Sequence, residues 1–231
     1  MSKTVEVHIK RQDSPKAPAY VTEFVIPYEE GMNVISLLQA IRRDPKDKSG
    51  KTVTPVTWES SCLEEVCGAC TMVINGKVRQ ACTALVDKLE QPIKLEPMSK
   101  FPVERDLRVN RQRIFDNLKK VNGWVEIDGY HDLGPGPRQN PDDQTTTYKL
   151  SECMSCGCCM EVCPQFTQVN EFIGAAVLGQ ARLFNMHPTG KMQMPARLDK
   201  VTEAGGIANG SSTNTLSRAS SSRQAAASPA W

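Results

Sequence analysis

Four cysteines, Cys62, Cys67, Cys70 and Cys82, occur in the run SSCLEEVCGACTMVINGKVRQAC with the spacing C-x4-C-x2-C-x11-C. The first three spacings are those of a loop that wraps a plant-type [2Fe–2S] cluster, and thiolates are the soft ligands that iron in such clusters takes. Gly68 lets the loop turn tightly, so that backbone N–H groups can point at sulfur and stabilise its charge. The fourth cysteine returns on the far strand of a hairpin. MVINGKVRQ alternates apolar residues around Asn75-Gly76, a two-residue turn signal. The competing reading is free or zinc-binding thiols. Zinc sites usually join two C-x2-C knuckles, and this run has one C-x2-C and one C-x4-C.

A second block, SECMSCGCCMEVCPQF, supplies Cys153, Cys156, Cys158, Cys159 and Cys163, with Pro164 following. With Cys158 set aside, the run is C-x2-C-x2-C-x3-C-P, the bacterial ferredoxin signature. Its first three thiolates hold one cubane, and the cysteine before the proline ligates a different cluster in two-cluster proteins. Cys158 has no place in that pattern. It reads as a small buried apolar residue in preference to a ligand.

A chain of 231 residues suits two modest domains. Its 28 basic residues nearly balance 26 acidic ones, which points to no nucleic-acid partner. Nine cysteines in clustered, metal-like spacing indicate a reducing compartment and not a disulfide framework. No apolar run approaches the roughly 20 residues that span a bilayer, and MSKTVEVHIKRQD has no apolar signal core. The chain is expected to be soluble, or peripheral to a membrane through partners.

The pattern predicts an α+β chain. TVEVHIK and YVTEFVI alternate as a hairpin, NVISLLQAIRR carries Val34, Leu37, Leu38 and Ile41 at helical spacing behind the N-cap candidate Asn33, and TPVTW, TMVIN, KVRQA and PIKLEP are short strand candidates. Strands and one crossing helix around the loop give a β-grasp [2Fe–2S] domain over residues 1–105. DLRVNRQRIFDNLKKV then puts Leu107, Ile114, Phe115, Leu118 and Val121 on one helical stripe, and DGYHDLGPGPRQNPDDQTTT reads as a long loop. EFIGAAVLGQARLFNMHP reads as a helix stopped by Pro188, so residues 106–208 form an α-helical ferredoxin-like domain. The Ser- and Ala-rich stretch 209–231 offers too little apolar surface to offset its ordering entropy and is expected to be disordered.

The two cysteine blocks, DLRVNRQRIFDNLKKV and HPTGKMQMPARLDKVTEAGGIAN resemble the iron–sulfur subunits of succinate dehydrogenase and fumarate reductase, most nearly a bacterial branch, over residues 1 to about 208. The resemblance implies that Cys62, Cys67, Cys70 and Cys82 ligate a [2Fe–2S] cluster. It implies that Cys153, Cys156 and Cys159 supply three ligands of a [4Fe–4S] cluster, and Cys163 one ligand of a [3Fe–4S] cluster. It further implies an electron relay between an FAD-bearing flavoprotein and quinone held by a membrane-anchor cytochrome b, on the cytoplasmic face of the membrane. The carbon chemistry belongs to the flavoprotein, and no catalytic residue is assigned here.

The sequence departs from the family at its end. The family carries three further cysteines there, and this sequence has none after Cys163. The abrupt change of texture after GGIAN favours a shifted reading frame or sequencing error over a truncated variant, and it leaves the second and third clusters short of ligands. PQFTQ has no tryptophan, so no quinone-contacting residue is assigned. His131 and His187 read as surface histidines, and Arg111, Arg113, Lys119 and Lys120 as a solvated basic face. The alternatives are the iron–sulfur subunit of a heterodisulfide-reductase-like or glycolate-oxidase-like complex, and a free-standing ferredoxin.

Overall fold

A computed structural model describes residues 3–126 and 138–206. His131 and the expected tail lie outside the described residues. The chain forms two compact units that part after Asn110.

The first unit is a mixed five-stranded sheet crossed by one helix. Strands β1 (Thr4–Arg11) and β2 (Tyr20–Pro27) form the antiparallel hairpin that alternation predicts. Helix α1 (Val34–Arg43) follows, then β3 (Thr71–Ile74), β4 (Lys77–Gln80) and β5 (Ile93–Glu96) in the order β2-β1-β5-β3-β4. β1 and β5 pair in parallel, with Val7 opposite Ile93 and Ile9 opposite Leu95. Period two sends Val5, Val7 and Ile9 of β1 and Phe24 of β2 into the core at 0% exposure, against Val34, Leu37, Leu38 and Ile41 of α1. The same alternation carries Arg11 inward. The β3–β4 turn is Asn75-Gly76 with left-handed φ of 48° and 77°, the conformation that a tight hairpin demands and that Asn and Gly tolerate.

Two expectations fail in this unit or at its edge. TPVTW is not a strand; residues 54–58 run without a ladder. DLRV is not helical. Leu107 lies buried in the first unit's core, in the turn of a small hairpin of β6 (Val103–Arg105) and β7 (Arg108–Val109). Asp106 at that turn has φ of 47°, a left-handed setting that ends any helix there.

The second unit is helical: α2 (Gln112–Lys120), α3 (Pro141–Ser151), α4 (Cys158–Glu161), α5 (Ala175–Met186) and α6 (Met194–Glu203). Ile114 and Val121 are buried as expected, but Phe115 is 48% exposed, and Asn117 takes an inward position. The expected long loop ends inside α3, which begins at Pro141. Asn140 caps it by accepting from the Asp142 N–H, and Pro141 opens its first turn. Phe172 and Ile173 are buried but precede α5, which begins only after Gly174 at φ of 94°.

Candidate metal centre

Residues 59–70 form an irregular loop between the unladdered run 54–58 and β3. Leu63, Glu65 and Gly68 take φ of 64°, 61° and 69°, which curls the backbone and turns successive N–H groups inward. The Cys62 sulfur receives the N–H groups of Glu64 at 3.5 Å, Val66 at 3.4 Å and Cys67 at 3.2 Å. The Cys67 sulfur receives those of Cys62 at 3.5 Å and Ala69 at 3.4 Å. Cys70 opens towards β3 and Cys82 follows β4, so the hairpin brings the fourth thiol back as its spacing predicts. Both are buried, whereas Cys62 and Cys67 are half-buried.

The thiols form two pairs. The N–H groups of Cys62 and Cys67 each donate to the other's sulfur, and the Ala81 N–H donates to the Cys70 carbonyl at 3.2 Å, which sets Cys82 beside Cys70. Among the described residues no three of these thiols bring their sulfurs within 4.8 Å of one another. One tetrahedral zinc, about 2.3 Å from each sulfur, needs all four that close. Two thiol pairs side by side fit a binuclear cluster, in which each iron takes two protein thiolates. The residues present therefore fit a [2Fe–2S] group.

The electrostatics divide the four. The N–H groups of Glu64 and Cys67 pull the Cys62 thiol down to about 7, against a smaller opposing effect of burial. Burial pushes the Cys82 thiol up to about 11, and the N–H of Glu65 offsets only part of this. Cys82 therefore needs the positive charge of a metal to lose its proton.

Two devices that the sequence reading missed set the loop's position. Asn33 is a capping residue, as expected, and forms a capping box with Ser36. Its amide also donates to the Cys82 carbonyl at 2.8 Å, so one side chain fixes both the start of α1 and the backbone of a ligand. Asn33→Ala is expected to cost about 1–2 kcal/mol, measured as a shift in the urea midpoint. The other device is a buried ion pair. Arg11, 1% exposed, donates to both oxygens of Asp106, 0% exposed, at 3.0 and 3.1 Å, and to the carbonyls of Thr54 and Pro55. Asp106 also accepts the Thr57 N–H at 2.9 Å, and the Leu107 N–H reaches the Thr57 carbonyl. These bonds take the place of the strand ladder that residues 54–58 lack. A basic residue at the inward phase of β1 was the available signal.

In the second unit, Cys153, Cys156, Cys158 and Cys159 are half-buried and Cys163 is buried. Ser155 and Gly157, at φ of 54° and 90°, turn the chain into α4, on which Cys158 and Cys159 are neighbours. Cys158 is thus less buried than expected. Arg113 does not lie on a solvated face. Its guanidinium stacks over Phe166 at 4.4 Å and donates to the carbonyls of Thr167, Asn170 and Phe172, holding the segment after Pro164. Burial lowers its pKa. Asn117 adds a bond to the Ile173 carbonyl at 3.1 Å. His187 is a turn-capping residue: its Nδ1 accepts the N–H groups of Thr189 and Gly190 at 3.3 and 3.2 Å.

The sequence pattern described as the 2Fe-2S iron-sulfur cluster binding domain matches residues 6–116. The chain is 54% identical over 215 residues to the succinate dehydrogenase iron-sulfur subunit of Bacillus subtilis, covering 93% of this chain and 85% of that one. It is 26% identical over 182 residues to the fumarate reductase iron-sulfur subunit of Haemophilus influenzae, covering 72% of this chain and 67% of the relative. A chain of the Mycobacterium smegmatis Sdh1 complex in the apo form shares the fold, with a TM-score of 0.66 at 17% identity and full coverage of both chains.

Proposed function

The chain belongs to the family of succinate dehydrogenase and fumarate reductase iron–sulfur subunits, and from that premise we propose that its two units carry electrons between an FAD-bearing flavoprotein and membrane quinone. The observation that carries this reading is the thiol loop itself: inward N–H groups on the sulfurs of Cys62 and Cys67, with the β3–β4 hairpin returning Cys82 beside Cys70. These four residues hold a [2Fe–2S] cluster. Cys153, Cys156 and Cys159 are three thiolate ligands of a [4Fe–4S] cluster, and Cys163 is one ligand of a [3Fe–4S] cluster. When bound, such clusters supply one-electron redox chemistry, and the carbon chemistry stays on the flavoprotein.

The chain's own residues hold the thiolates, set their charge and exclude water. N–H groups of residues 64–69 compensate negative sulfur charge, which favours the reduced state. Burial of Cys70 and Cys82 against the core keeps solvent from one side of the site. No described helix is long and apolar enough to cross a membrane. Attachment to the cytoplasmic face of the membrane therefore runs through a cytochrome b anchor subunit, which also holds the quinone.

The test is co-purification of the full chain with a flavin-bearing subunit, followed by succinate-dependent dye reduction. Succinate-dependent activity with flavin in the complex is the expected result. A chain that purifies alone and transfers electrons without a flavin partner is instead a free-standing ferredoxin. A flavin complex inert to succinate is a different oxidoreductase.

A further inference from the structure

Pairing of β3 with β4 ends at Thr71 opposite Gln80. The Ala81 N–H still reaches the Cys70 carbonyl at 3.2 Å, and Cys82 follows directly. From there the chain leaves the sheet and runs along the start of α1. The Val34 N–H donates to the Ala84 carbonyl at 3.0 Å, and the Val86 N–H donates to the Met32 carbonyl at 2.9 Å. Asn33 stands opposite Leu85 in an antiparallel bridge. Cys82, Ala84, Val86, Met32 and Val34 are all buried, so these bonds are made away from water, where each is stronger.

The Asn33 side chain divides its two ends between two partners. Its Oδ1 accepts the Ser36 N–H at 2.9 Å and closes the cap of α1, while its Nδ2 donates to the Cys82 carbonyl at 2.8 Å. Ser36 completes the cap from the other side, its Oγ accepting the Asn33 N–H at 2.9 Å. The helix end thus orients the amide, and the amide's free end is spent on the backbone of the fourth cysteine.

We propose that Asn33 is a positioning residue for the [2Fe–2S] cluster: by holding the Cys82 backbone against the first turn of α1 it aims the fourth thiolate, and its loss loosens the cluster without undoing the fold. This rests on the assignment of Cys82 as a ligand made above. Cys62 and Cys67 carry N–H groups of their own loop on their sulfurs. Cys82 comes from a different stretch of chain, and its approach depends on where the segment after β4 is fixed. A partner of this kind orients a ligand without touching the metal, and removing one typically costs about 10- to 100-fold in metal affinity.

The experiment reads cluster retention and fold stability separately on the cluster-loaded full chain. Retention is the rate at which an iron chelator, without oxygen, removes the [2Fe–2S] paramagnetic signal read after dithionite; stability is the urea midpoint. Asn33→Ser keeps a cap, since serine serves that position as well as asparagine, but one hydroxyl cannot stand at both amide positions. It is expected to lose the signal about tenfold faster than the wild type, with a urea midpoint close to the wild-type value. Ser36→Ala removes its half of the capping box and keeps the Asn33 amide on Cys82. It is expected to lower the urea midpoint and to leave the rate of signal loss within about twofold of the wild type. Asn33→Ser that retains its cluster as the wild type does overturns the inference and leaves the ligand assignment standing. Equal acceleration in both variants shows that cluster loss follows the weakened helix, and overturns it as well. A wild-type chain that gives no [2Fe–2S] signal after reconstitution removes the assignment of Cys82, and this inference with it.

Discussion

Cys67→Ser is expected to abolish the paramagnetic signal of the reduced [2Fe–2S] cluster and to remove most of its roughly two iron atoms. Serine offers a hard alkoxide where the cluster takes a soft thiolate. The change also strips the N–H groups of Cys62 and Ala69 of the sulfur they point at. The partner thiol of the pair, Cys62, then loses its neighbour and its iron. Cys158→Ser is the matched control, because Cys158 lies in the second unit and outside both ligand patterns; its [2Fe–2S] signal should match that of the wild type. Electron paramagnetic resonance after dithionite, with iron analysis, reads both variants. An unchanged signal in Cys67→Ser would contradict the ligand assignment.

Asp106→Ala is expected to destabilise the first unit by about 3–5 kcal/mol, because it leaves the Arg11 guanidinium buried without its carboxylate. Asp106 also accepts the Thr57 N–H, so the run leading into Cys62 loses an anchor with it. On a unit of this size the midpoint of thermal unfolding should fall by at least about 12 °C. Arg11→Met/Asp106→Leu should be more stable than Asp106→Ala, since it buries no unpaired charge. Circular dichroism melts of the three proteins decide the matter. A loss below about 1 kcal/mol in Asp106→Ala would show that the pair is not a clamp.

Much of the first unit was legible because its signals are local. Alternation in β1 and β2, Asn33 before an amphipathic run, and Asn75-Gly76 between two strands each fix a short segment without reference to the rest. The thiol loop was legible because cysteine spacing is itself the ligand geometry. Leu107 was misread because its spacing to Ile114 suits a helix, while the left-handed Asp106 and the burial of Leu107 in the first unit's core are tertiary facts. Residues 54–58 carry β-branched residues like a strand, yet their hydrogen bonds go to Arg11, Asp106 and Leu107. Helix α3 has no strong apolar face, so periodicity was silent. Its capping signals, Asn140, Pro141, Asp142 and Asp143, were present and outweighed by the turn-forming composition around them. Arg113 looked like one more surface cation; the carbonyls it gathers lie more than fifty residues further along the chain.

The most direct test of the relay is to add succinate, without oxygen, to the full chain purified with its flavin-bearing subunit, and to record the paramagnetic signal of the [2Fe–2S] cluster. Electrons entering through the flavoprotein should produce the same signal that dithionite produces, and Cys67→Ser should show neither. A wild-type cluster that dithionite reduces and succinate leaves silent, in a complex that holds its flavin, would contradict the account.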